Sequence, residues 1–87
     1  MNSAARLQIH SVEQEGPAAA VCIVRCVGGV ARVGQEFAGA MTLDRILRYG
    51  REVEFLEPPH SAKVRLSGAG VHALERGAVV TALRSEA

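Results

Sequence analysis

Aromatic side chains are scarce: Phe37, Tyr49 and Phe55 are the full set, and tryptophan is absent. Proteins that hold single-stranded nucleic acid commonly stack its bases on aromatic rings, so no stacking surface is expected here. Any RNA contact would run through backbone and shape. An excess of either charge is missing as well. Ten Lys and Arg against nine Asp and Glu leave a formal charge of +1, whereas a domain that lives on phosphate contacts is strongly basic. A nucleic-acid site would therefore have to be local. Lysine itself is nearly absent, since Lys63 is the one lysine beside nine arginines, a bias that fits GC-rich codon usage, the favoured explanation, about as well as selection for bidentate anion contacts.

Long apolar runs are lacking too. The longest near-apolar stretch, Ala18 to Val24, falls far short of the roughly 20 residues that a membrane-spanning helix needs. Met1 to Leu7 has no basic segment followed by an apolar one, which is what a secretory leader requires. The expectation is a cytoplasmic protein with no membrane contact.

The usual catalytic signatures do not occur. His10, His60 and His72 are dispersed and fit no H-x-H, H-E-x-x-H or Cys-spaced pattern, so neither a metal nor a cofactor is expected. No G-x-S-x-G elbow presents a nucleophile. Glu52, Glu54 and Glu57 alternate with apolar neighbours as the solvated face of a strand does, which argues against a general acid and base pair. Cys22 and Cys26 lie among the β-branched Val21, Ile23, Val24 and Val27, a strand-forming context. Four residues of strand span about 13 Å, beyond the roughly 7 Å limit for the Cα atoms of a disulfide. Both cysteines are read as small buried hydrophobes. The chain is expected to be non-enzymatic.

With 87 residues, 48% of them hydrophobic and 22% charged, the composition is that of one small globular unit. A single domain over residues 1–87 is expected, with an ordered core from about residue 5 to 84. Gly, Pro, Asn and Ser divide the chain into short runs rich in Val, Ile and Leu, the pattern of a small all-β barrel or sandwich. Strands are predicted over Arg6 to Gln14, Ala18 to Val27, Thr42 to Tyr49 with a bulge, Arg51 to Leu56, Ala62 to Leu66 and Ala78 to Leu83. Two short extended pieces hinge at Gly34, Tyr49 and Gly50 make a hairpin turn, and His72 to Arg76 make one helical turn. The predicted core is Leu7, Ile9, Cys22, Val24, Cys26, Val33, Phe37, Val53, Phe55, Val64, Leu66 and Val79. The fold class is thus all-β: a small antiparallel β-barrel of about six or seven strands.

Two motifs carry a resemblance. The first runs from Val24 and Arg25 through the Gly28 and Gly29 turn to Arg32, Val33, Gly34, Gln35, Glu36 and Phe37; the second is Ala62 to Gly68 followed by Glu75, Arg76, Gly77, Ala78, Val79 and Val80. In this order and spacing the chain resembles the second, β-barrel domain of the translational GTPases, typified by elongation factor Tu. It departs from that pattern at Val24, where the family has glycine, and at Pro58, Pro59 and His60, where the family's loop centres on glycine. No G-x-x-x-x-G-K-[ST] loop is present, so the family's GTP-binding activity does not carry over. The resemblance implies a binding platform, since in the family this barrel touches ribosomal RNA, the aminoacylated end of tRNA or a neighbouring domain.

The candidate surface is Arg45, Arg48, Arg51, Lys63 and Arg65, which a hairpin turning at Gly50 and an alternating strand could gather to attract phosphate. Interleaved Asp44, Glu52, Glu54 and Glu57 would oppose this through cross-strand pairs. The expected partner is RNA, the ribosome or a translation factor. The alternative is a protein interaction module, either a homodimer or a binder of another protein, because so small a barrel has little interior for its apolar residues.

Overall fold

A computed structural model describes residues 4–83. They form an all-β structure, a nearly closed antiparallel barrel. Nine strands occur in chain order: β1 (Arg6–Gln14), β2 (Ala19–Gly28), β3 (Ala31–Arg32), β4 (Glu36–Phe37), β5 (Met41–Arg48), β6 (Arg51–Val53), β7 (Phe55–Leu56), β8 (Ser61–Ser67) and β9 (Val79–Thr81). Hydrogen-bonded neighbours follow the order β4, β5, β8, β2, β1, β9, while β6 adds to β5 and β3 pairs separately with β7. The seam between β4 and β9 is joined by a bridge from Phe37 to Ala82, with the Ala38 N–H donating to Thr81 O and the Leu83 N–H to Glu36 O.

The central strands follow directly from their residue pattern. In β8, Ala62, Val64 and Leu66 are buried while Ser61 and Lys63 face outward, the period of two that a strand with one wet face imposes. Opposite them, Ala20, Cys22, Val24 and Cys26 of β2 point inward. Leu7, Ile9, Phe37, Leu43, Ile46, Leu56 and Val71 complete the interior. Val71 belongs to a 3-10 helix, Ala69–Ala73, which begins three residues before the predicted helical turn.

Where irregularities interrupt a strand, the alternation changes phase. A bulge between Ile9 and Ser11 leaves Ser11 exposed and Val12 half-buried, so the inward phase set by Leu7 and Ile9 does not continue to Ser11. At Glu54 a bend divides the predicted Arg51 to Leu56 strand into β6 and β7. Leu56 then takes the core position, and Phe55 is 48% exposed rather than buried. Val79 is likewise outside the core, 50% exposed, because Val80 points inward. Val33 follows β3 at a corner and is also exposed. Val53 packs against the core while only partly buried.

Gly68 seats the loop that leads into β5. It has φ +129°, and a Cβ there would collide with the carbonyl of Ala40. The absence of a side chain lets two backbone segments touch at this point.

Candidate functional site

The five predicted basic residues all lie on or beside the β5, β6 and β8 strands, but they form two groups. Strand register explains the division. Asp44 is the extra residue of a bulge in β5, which brings Arg45 directly opposite Arg65 and Leu47 opposite Lys63 on the outer face. The Arg45 and Arg65 pair is compensated by carboxylates. Arg65 Nη1 donates to Asp44 Oδ2 at 2.6 Å and its Nε to Glu15 Oε1 at 3.4 Å, while Arg45 Nε lies 3.5 Å from Glu52 Oε1. The cross-strand cancellation expected from the interleaved acids occurs at these two arginines.

The second group sits at the hairpin end. Residues 49 and 50 connect β5 to β6, and Arg48 and Arg51 are register partners that flank them. Both turn residues have positive φ, +53° at Tyr49 and +77° at Gly50, the signature of a type I′ turn. Arg48, Arg51 and Lys63 make no salt bridge among the described residues. Arg48 is half-buried, and its Nε is shielded from solvent without a hydrogen-bond partner among the described residues. Its Cζ stands 5.6 Å from the centroid of the Tyr49 ring, within cation–π range.

Beside the turn lies an open groove of about 470 Å³, with Ile23, Leu47, Tyr49, His60 and Lys63 among its walls. Its apolar floor comes from the outer faces of β2 and β5. Its walls also include Arg48 and Lys63 of the cationic group, while Arg51 lies outside them, across the hairpin from Arg48.

Tyr49 lines the same groove and lies outside the predicted basic set. It is 94% exposed, a consequence of its place at a hairpin tip, where no neighbouring strand can cover it. The sequence signal was local: a two-residue turn ending in glycine puts the preceding side chain outside the barrel.

The cysteines occupy the strand positions expected of them. Both are free and buried. Burial pushes the Cys22 thiol up to about 11 and also raises that of Cys26, whose Sγ lies 3.4 Å from Gly28 O. Among the described residues no cluster of three or more His, Cys, Asp or Glu side chains is placed to hold a metal ion, and no helix is long and apolar enough to cross a membrane.

Scanned against protein-family models and curated proteins, the chain matches neither a family model nor a curated protein.

Proposed function

We propose that this barrel is a non-catalytic RNA-binding module whose contact surface is the β5 and β6 hairpin end rather than the whole five-residue basic set. The observation that carries the reading is the contrast in compensation: Arg45 and Arg65 have carboxylate partners, whereas Arg48, Arg51 and Lys63 have none among the described residues. Uncompensated cations near one hairpin end of a near-neutral protein concentrate positive potential locally, which suits a phosphate backbone. The resemblance to the translational GTPase barrel supports an RNA of the translation apparatus as the partner.

Filter binding of RNA at stepped salt concentrations tests the reading. Affinity is expected to fall as salt rises, and the triple variant Arg48→Glu, Arg51→Glu, Lys63→Glu is expected to lose binding while Arg65→Ala retains it. Undiminished affinity in the triple variant, or no RNA binding by the native chain at low salt, overturns it.

A second reading rests on a separate face. Val33 and Phe55 are 43% and 48% exposed around an open groove that also includes Val53 and Glu54. Exposed apolar residues gathered with a polar rim suit a protein partner or a second copy of the chain. Light scattering at high concentration tests the homodimer form, which a strict monomer removes.

A further inference from the structure

A tyrosine at the first position of a type I′ turn is an expensive choice. Asn, Asp and Gly are the residues that accept positive φ there, and a side chain with Cβ in that region costs on the order of 1 kcal/mol. Tyr49 nevertheless holds φ +53° and presents its ring almost wholly to solvent. The other large aromatic side chains are used differently: Phe37 fills the core, and Phe55 lies half-exposed with Arg32 above its ring. Backbone strain at an exposed position, with no packing gain to offset it, marks a side chain retained for contact.

Its neighbours indicate the chemistry of that contact. The Arg48 guanidinium approaches the ring, and Arg51 and Lys63 supply further uncompensated cations. The groove beside the ring has an apolar floor from Ile23 and Leu47. An aromatic plane, an apolar floor and the cations Arg48 and Lys63 in the groove wall, with Arg51 across the hairpin, together match a nucleotide whose base is unstacked and whose phosphates are exposed.

We infer that the Tyr49 ring stacks on one unpaired RNA base while Arg48, Arg51 and Lys63 contact the adjacent phosphates, making the module selective for single-stranded over duplex RNA. This inference rests on the RNA reading given above and adds to it the strandedness of the ligand. Bases within a duplex are already stacked on both sides and offer no face to the ring. Because every base has such a face, the contact selects for an unpaired strand without selecting for its sequence.

The protein carries its own probe for this contact. It has one tyrosine and no tryptophan, so its intrinsic emission reports on Tyr49 alone. A single-stranded RNA of about ten nucleotides, within the usual site size for such proteins, is titrated against the full chain, and then the same strand annealed to its complement. The single strand is expected to bind more tightly and quench the emission. Tyr49→Ala is expected to weaken single-strand binding by about 5- to 150-fold, the range for losing one base stack, and Tyr49→Phe to restore most of it. The substitution lies at an exposed tip, and circular dichroism confirms that the barrel remains folded.

Single-strand binding that leaves the emission unchanged, equal affinity for the duplex, or native affinity in Tyr49→Ala overturns the stacking inference while leaving the RNA reading in place, provided the triple charge reversal still abolishes binding. Failure of the native chain to bind either RNA overturns both.

Discussion

Arg48 and Arg51 stand directly opposite each other across the β5 and β6 hairpin, two like charges in register with no salt-bridge partner among the described residues. Directly opposed like charges destabilise a strand pair. The hairpin therefore gives up stability at the position where its cations are most concentrated.

Replacing one of the pair reverses that term. Arg51→Glu creates an opposite-charge cross-strand pair with Arg48, expected to stabilise the fold by about 0.5 kcal/mol at low salt. Under the RNA-binding function proposed above, the same change weakens RNA affinity. Denaturant melts at low and high salt check the first outcome, since screening should shrink the gain.

Tyr49→Asn acts on the backbone of the turn itself. Asn-Gly is the preferred type I′ pair, so the variant is expected to raise stability by about 0.5–1 kcal/mol through relief of the positive φ. Thermal melts of native and variant chains give the comparison. A destabilised variant would mean that the ring contributes to packing despite its exposure.

Gly68→Ala has the opposite sign. Positive φ and the carbonyl of Ala40 both exclude a Cβ at this position, and each effect typically costs about 1–3 kcal/mol. The expected loss is at least about 2 kcal/mol, measured as a shift in the denaturation midpoint. Arg65→Ala, in comparison, removes only partly exposed ion pairs to Asp44 and Glu15, worth less than about 1 kcal/mol.

The thiols predict an alkaline dependence. Burial raises the Cys22 pKa from 9.0 to about 11 in the fold, so the native state holds its proton where the unfolded chain releases one. Fewer protons bound in the unfolded state make stability fall as pH rises. The contribution is fully present below about pH 9 and is lost progressively towards pH 11, with Cys26 shifted in the same direction. Stability measured across this window should decline in the native chain and decline less in Cys22→Ala, compared as slopes because the substitution also changes packing. At neutral pH neither thiol should react with an alkylating reagent until the chain unfolds.

Regular alternation made much of the barrel legible. Ala62, Val64 and Leu66 announced β8, and the β-branched surroundings of Cys22 and Cys26 announced β2, because both strands run without interruption between neighbours. The errors cluster where pairing changes hands. Phe55 lies just beyond the bend at Glu54, where the chain leaves β5 and joins β3; Val79 begins a short strand one residue out of the assumed phase. Phase at such places depends on bends that no pattern of apolar residues encodes.

The basic surface was legible as a set of residues but not as a circuit of charges. Its division depends on Asp44, whose bulge sets Arg45 against Arg65 and places a carboxylate beside them. Residue type alone cannot locate a bulge to one position. The exposure of Tyr49 follows from its place in the hairpin turn, which a count of aromatic residues does not convey.

The seam between β4 and β9 also sets an order of events during synthesis. Phe37 has its barrel-closing neighbour at Ala82, and Glu36 receives its seam hydrogen bond from Leu83. The ring of strands consequently stays open until the last described residues have been made, so the unpaired edge of β4 must be carried, uncovered, from the synthesis of Phe37 to that of Ala82.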